Sequence, residues 1–314
     1  MDIMNLANCA NPDSVFNTGI PLCDLAKGKI KGIILMDRGV VATPSDRAST
    51  AAFLAWLRTG TTAARGSRIY PILDLNNFED NTGDPSTGGI GNLTTATIIV
   101  SDAIPAFRFG YNGSEARHKR MSLMNGASLD VMFIDDKFAV YGTQKGDDLG
   151  GYSVLQAYAD TSKFIVADAV NQYGFRLTLG SITEYRDSSA YVVTNSSIMT
   201  LQGLIDVQMT YLSNVAEAIK YQPIADGGTN LEPANGGAID GLTHTAVNLE
   251  TGNAITVDSV ADSPSDDSIL VTLDDLAWAA LASGDRVQIY GPSAAALAGV
   301  GVKPYEFIPF IVTK

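Results

Sequence analysis

Hydrophobic and polar positions alternate over most of this chain, and a period of two predicts strands. Lys29 to Val41 (KIKGIILMDRGVV) reads as the first strand. Its unbroken run Ile33-Ile34-Leu35-Met36 suits a strand covered on both faces. Arg68–Leu75 follows, and Pro71 places it at an edge or bulge because proline lacks the ladder N–H. Ala96–Val100 and Ile104–Tyr111 read as strands. Leu129–Ile134 then pairs with Phe138–Tyr141 around the tight turn Asp135-Asp136-Lys137. Phe164–Ala169, Tyr173–Leu179, Ser181–Tyr185 and Ser189–Thr194 continue the series. Ala254–Val260, Ile269–Leu273, Arg286–Tyr290 and Tyr305–Val312 are later strands, and Asp274–Leu281 is a helical turn.

Two segments carry the helical period instead. Thr43-Pro44-Ser45-Asp46 supplies capping groups for a helix that Gly60 stops, with Phe53, Trp56 and Leu57 on one face. Ile198–Tyr221 places Leu201, Leu204, Ile205, Met209 and Leu212 at helical spacing, which predicts a helix of four or more turns. The chain is thus mainly β with a few helices, an α+β class.

Polar, Gly- and Pro-rich stretches set the expected organisation. Residues 1–27 read as an N-terminal arm that docks on the body or on a neighbouring subunit, and 28–224 as the β-rich main domain. Residues 225–237 read as a linker and 238–314 as a small acidic β domain. An alternative makes 238–292 an insertion, with 305–312 returning to the main domain. Asn76–Asn92 reads as a long polar loop. The cationic run Arg117-His118-Lys119-Arg120 reads as a loop between strands.

Charge changes this picture more than composition does. The net charge is −13, and charged residues make up only 18% of the chain. Residues 1–224 hold 18 Lys and Arg against 22 Asp and Glu, whereas 225–314 hold three against 12. So acidic a surface repels a phosphate backbone, although it suits a conduit through which DNA slides without sticking. No membrane partner is expected, since no window approaches the roughly 18–20 apolar residues of a span. MDIMNLANCANPDS has no basic region followed by an apolar core, so no secretory signal is read there.

Candidate chemistry is sparse, and no catalytic, cofactor-binding or metal residue is expected. Gly88-Gly89-Ile90-Gly91 lacks the lysine of a phosphate loop and reads as loop, and no GxSxG elbow exists. Asp74, Glu79, Asp80 and Asp84 do not follow calcium-loop spacing. Cys9 and Cys23 read as free thiols, with a disulfide across their spacing as the alternative, and His118 and His244, the only imidazoles, as surface residues. The adjacent pairs Asp135-Asp136, Asp147-Asp148, Asp266-Asp267 and Asp274-Asp275 read as turn formers, since neighbours on a strand face opposite ways. Arg117, Lys119 and Arg120 remain as an intersubunit contact for an acidic surface or as a solvated loop tip; a phosphate contact, the third reading, is disfavoured by the overall charge and the absence of interleaved aromatics.

The arm NCANPDS…NTGIPLCDLAKGKIKGIILMDRG, the helix after it and the β-rich remainder resemble virion structural proteins of tailed phages of Bacteroidota, the crAss-like group being nearest. The resemblance spans about residues 5–220 and is one of layout. It implies a β-sandwich-like main domain with flanking helices, an extended hairpin at Ile104–Thr143 that reaches a neighbouring ring, and an appended module at 225–314. It also implies a non-enzymatic homo-oligomer, a hexameric or dodecameric ring or tube of the tail or neck. Such a subunit would contact other virion proteins and be assembled in the host cytoplasm. A capsid-exterior protein and a carbohydrate-binding or glycoside-cleaving protein are the alternatives.

Overall fold

A computed structural model describes residues 3–6, 28–73, 75–90, 93–111, 115–161, 173–226, 228–302 and 305–314. Both cysteines, most of the N-terminal arm, Asp74 and the expected strand Phe164–Ala169 lie outside the described residues. The fold is mainly β with a few helices. It divides into two units, Met1–Gln202 and Gly203–Lys314.

The first unit starts with β1 (Met4–Leu6), β2 (Ile30–Asp37), β3 (Val41–Ala42), α1 (Thr50–Thr61), β4 (Ile69–Ile72) and β5 (Leu75–Asp80). It continues through β6 (Ser86–Ile90), β7 (Leu93–Ser101), β8 (Ala106–Tyr111), α2 (Glu115–Ser122), β9 (Leu129–Asp135) and β10 (Ala139–Lys145). β11 (Asp148–Gly150), β12 (Tyr152–Ala159), β13 (Tyr173–Leu179), α3 (Ile182–Arg186) and β14 (Ser189–Val193) complete it.

Strand β9 organises this unit. One edge pairs with β2 (Ile33 opposite Phe133), and β2 pairs in turn with the edge strand β4, which holds Pro71. Its other edge is shared: Val131 lies opposite Tyr152 of β12, and Phe133 opposite Tyr141 of β10. From β10 one sheet runs on through β14 to β1; from β12 a second runs through β13 and β8 to β5. The two faces of the β2–β9 pair bury different cores. Ile33, Leu35, Val131 and Phe133 face Phe107, Phe109, Phe175 and Leu177 of the second sheet. Ile34, Met36, Met132 and Ile134 face Phe53, Leu54 and Leu57 of α1. The layers are helix, sheet, sheet, which is why β2 carries no polar alternation.

Helix α1 begins three to six residues later than its capping motif suggests. Thr43 donates its N–H and hydroxyl to Asp46 Oδ2 in a turn, and Ser49 caps the helix by accepting from the Ala52 N–H at 3.1 Å. Gly60 lies inside the helix rather than ending it. A Cβ there would stand 2.4 Å from Ile69 Cδ1, so the glycine permits close approach to β4.

Other segments also differ from expectation. The loop expected at Asn76–Asn92 is largely strand: β5 pairs with β8, and β6, which includes Gly88-Gly89-Ile90, pairs with β7. Ser181–Tyr185 is not a strand, because Ser181 caps α3 by accepting from the Glu184 N–H. Ile104–Thr143 is not one extended hairpin: β8 is followed by α2, and only β9 and β10 pair across the Asp135 turn.

The second unit contains β15 (Ile205–Val215), β16 (Ala218–Ala225), β17 (Thr229–Asn230), α4 (Glu232–Ile239), β18 (Thr245–Asn248) and β19 (Ala254–Ile255). Then come β20 (Val257–Ser263), β21 (Ser268–Leu273), α5 (Asp275–Ala280), β22 (Arg286–Tyr290), α6 (Ala294–Gly299), β23 (Tyr305–Ile308) and β24 (Phe310–Thr313). One sheet runs β20-β21-β16-β15-β23 and another β19-β18-β22-β24. Val207, Tyr221 and Val271 of the first share a core with Ala246, Ile289 and Val312 of the second.

The helix expected across Ile198–Tyr221 is therefore a short 3₁₀ turn at Ser196–Thr200 and the long hairpin β15–β16. Its buried residues Val207, Met209, Ile219, Tyr221 and Ala225 follow a period of two. The division at 202/203 lies upstream of the linker expected at 225–237, which instead holds β17 and most of α4. Pro309 splits the expected strand Tyr305–Val312 between β23, parallel to β15, and β24, antiparallel to β22. Among the described residues, strands from β15 onward pair only with one another, so 305–312 does not return to the first unit.

Candidate functional site

Arg117, Lys119 and Arg120 sit on α2, not on a loop tip. The sequence EARHKRMS favours a helix electrostatically, with Glu115 in the first turn and Lys119 and Arg120 in the last, each sign matching its end of the helix dipole. His118 and Met121, three apart on one face, are buried. The cations flank or oppose that buried face: Lys119 is exposed, and Arg117 and Arg120 are half-buried. The Arg117 guanidinium lies 5.4 Å from the centre of the Tyr111 ring.

His118, expected at the surface, is 5% exposed and anchors the helix. Its Nε2 is 2.7 Å from the Asp160 carbonyl, a pure acceptor, so Nε2 carries the proton and donates. In the neutral ring Nδ1 then accepts from the Tyr111 hydroxyl at 2.7 Å. The imidazole stacks on Tyr173, centroids 4.7 Å apart and planes 27° apart. Tyr173 in turn donates its hydroxyl to Glu115 Oε2 at 3.1 Å. With both nitrogens engaged, this histidine positions a cationic helix and does not present a free base.

The ring stack borders a charge ladder across the second sheet. Asp160 Oδ2 accepts from Arg108 Nε at 2.8 Å and Oδ1 from Arg176 Nε at 2.6 Å, and Arg108 also reaches Glu79 at 3.3 Å. Burial pushes the Asp160 carboxyl up, but the hydrogen bonds and charge of the two arginines outweigh it and hold the group below its ordinary value. Gly174 makes room for this clasp, because a Cβ there would stand 2.4 Å from Asp160 Oδ2.

His244, also expected at the surface, is buried in the second unit in a parallel arrangement. Nδ1 donates to the Leu242 carbonyl at 3.0 Å, and Nε2 accepts from the Tyr221 hydroxyl at 2.7 Å. Burial lowers the His244 value and raises that of the Tyr221 phenol, so the pair stays neutral.

The adjacent carboxylates do separate structural work. Asp135 closes the β9–β10 turn by accepting from the N–H groups of Lys137 and Ala139 and from the Tyr141 hydroxyl. Asp274 caps α5, and Asp266 accepts from Lys220 at 2.7 Å. Two carboxyl pairs do meet, the exposed Asp275 with Glu217 and Glu232 with Asp262, and separations of 58 and 30 positions gave no sequence signal. Among the described residues, no group of three or more His, Cys, Asp or Glu is arranged to hold a metal ion.

A partly open cleft of about 100 Å³ lies at one end of the first unit's core, lined by Gly28, Ile30, Phe78, Asp80, Phe107, Phe133, Tyr141, Tyr152 and Tyr185. It is well below the roughly 300 Å³ where small-molecule pockets begin. Tyr141 is bonded to Asp135 and Tyr152 to Ser189, so those two hydroxyls are already engaged.

No helix among the described residues is long and apolar enough to cross a membrane. No protein-family model matches the chain, and no curated protein matches its sequence.

Proposed function

We propose that the chain is a structural subunit of a phage particle that assembles with copies of itself into rings or tubes of the tail or neck. It acts by contact, not by catalysis. The observation that carries this reading is the open edge of β15. Its partner β23 pairs only with Ile205–Gln208, and beyond it Met209–Val215 pairs with no strand on that edge among the described residues, although Phe310 of β24 sets its ring 6.5 Å from that of Tyr211. The open stretch exposes Leu212 at 40% and Val215 at 77%. Long apolar edges invite pairing, and soluble proteins normally cover or charge them.

Charge favours a second copy as the cover. Residues 203–314 hold four Lys and Arg against 14 Asp and Glu, a net of −10, while α2 presents Arg117, Lys119 and Arg120. A head-to-tail contact between unlike patches generates rings or open tubes, whereas a self-matching patch closes a dimer. β6 and β7, which pair with no other described strand, are a second candidate connector.

Native mass measurement and negative-stain imaging of the purified chain test this. Rings or tubes are expected, weakened by Leu212→Asp with Val215→Asp and by Arg117→Glu with Arg120→Glu. Contacts between exposed charges are screened beyond about 8 Å at physiological salt, so raising salt should weaken assembly too. A chain that stays monomeric at high concentration, or a charge reversal that leaves assembly intact, defeats the proposal. A monodisperse monomer that binds a glycan favours the carbohydrate reading instead.

A further inference from the structure

In the second unit Glu232 opens α4 and is 3% exposed, although it lies near the unit's surface. Its Oε2 and the Oδ1 of Asp262 are both sealed from solvent, and no hydrogen-bond donor reaches either. The two carboxyl groups are nevertheless in hydrogen-bonding contact. Two ionised carboxylates cannot satisfy one another, since each only accepts; one proton between the two groups turns their contact into a hydrogen bond. Gly236, one turn along α4, lets the helix settle onto Asp262: a Cβ there would stand 2.4 Å from Oδ1.

We propose that Glu232 and Asp262 share a single proton at neutral pH, and that this proton latches α4 to β20. When it leaves to solvent, two negative charges face each other, that of Glu232 buried and that of Asp262 half-buried, and the helix lifts.

The surroundings offer the ionised pair no relief. α4 lies against β20 and β21; β21 has no charged side chain, and β20 supplies Asp262. The turn after β20 adds Asp266 and Asp267, and both raise the Glu232 value. Lys220 of β16, the cation beside this turn, is bonded to Asp266. Asp258, at the far end of β20, stands beside Asp275, and Asp240 lies at the C-terminal end of α4. Burial first, then the bond and charge of Asp262, push the Glu232 carboxyl up to about 7. A carboxyl whose value is raised on folding stabilises the fold below its unfolded value. That contribution is lost as pH rises from the ordinary value of 4.5 through the folded value, so the latch weakens from about pH 4.5 to about 7 and stays weak above it.

The test uses the full chain with ¹³C-labelled glutamate carboxyls, titrated by NMR from about pH 4 to 9. Of the seven glutamates, one is expected to titrate near pH 7. That signal disappears in Glu232→Gln, an isostere whose amide donates to Asp262 without a shared proton. Amides of Ala234–Ile239 should exchange several-fold faster at about pH 8.5 than at pH 6, after correction for intrinsic rate, in the wild type but not in Glu232→Gln. All seven carboxyls titrating between about 4 and 5 overturns the proposal, as does the same pH dependence in the variant. Suppression of the alkaline opening by millimolar calcium also overturns it, because a cation would then be what fills the two oxygens.

Discussion

Replacing His118 with phenylalanine keeps a ring of similar size against Tyr173 and removes both polar contacts that dock α2. The Tyr111 hydroxyl loses its acceptor at 2.7 Å, and the Asp160 carbonyl loses its donor at 2.7 Å. A buried polar group left unpaired costs about 1–3 kcal/mol. The Asp160 end is only part-buried, so the total is expected near 3 kcal/mol. For a unit of this size that lowers Tm by about 6–12 °C. Scanning calorimetry of the full chain reads this on the transition of the first unit, and Ile289→Ala, in the second core, identifies the other transition. Tyr111→Phe should cost about 1–2 kcal/mol by orphaning Nδ1. The double variant should cost less than the sum, with a coupling of at least about 0.5 kcal/mol. Assembly should fall in His118→Phe although all three cations remain, because their helix is no longer held. A His118→Phe transition within about 2 °C of the wild type, or strict additivity with Tyr111→Phe, would refute the anchoring role.

Three further outcomes are expected. Gly174→Ala should displace Asp160 from Arg108 and Arg176, lowering the stability of the first unit by about 1–3 kcal/mol in urea unfolding; Asp160→Ala in the same chain should remove most of the added cost. His244 is buried and neutral with a lowered value, so the unfolded chain takes up a proton that the folded unit refuses. Stability of the second unit should therefore fall as pH drops below about 6.5, and His244→Gln should flatten that limb in melts at a series of pH values. Ala216, in the turn between β15 and β16, has φ 52°, so Ala216→Gly should stabilise the hairpin by up to about 1 kcal/mol in the same assay.

What the sequence revealed follows from how local each signal is. The β9–β10 turn was legible because Asp135 closes it with bonds to residues two to six positions away. β13 and β22 were legible because each alternates within its own span. The apolar run of β2 was correctly read as covered on both faces, but its partners lie far along the chain. α2 was missed because EARHKRMS carries too few large apolar positions to show a period, and its buried face includes a histidine, His118, beside Met121. The burial of His118 depends on Asp160, 42 positions away. The β15–β16 hairpin was misread because Leu201, Leu204, Ile205, Met209 and Leu212 fit a helix, although Leu212 is an exposed residue of the strand. Of the candidate site, the cations were visible and their anchor was not.

The placement of β9 bears on how the chain is made. β2 is complete at Asp37, but the strand that pairs with it begins at Leu129. At about 5–20 residues per second of synthesis, the segment between them takes roughly 5–20 seconds to appear. Until β5 and β8 follow, Ile33-Ile34-Leu35-Met36 can be covered by α1 and β4 at most on one face and one edge, and the edge that β9 takes stays open throughout the interval. A nascent chain with an unpartnered four-residue apolar strand is a substrate for chaperones, and for the same strand of a neighbouring nascent chain. Ribosome-bound chains stalled between residues 80 and 125 should accordingly hold the strongest chaperone contacts at residues 33–36, and lose them once β9 has emerged.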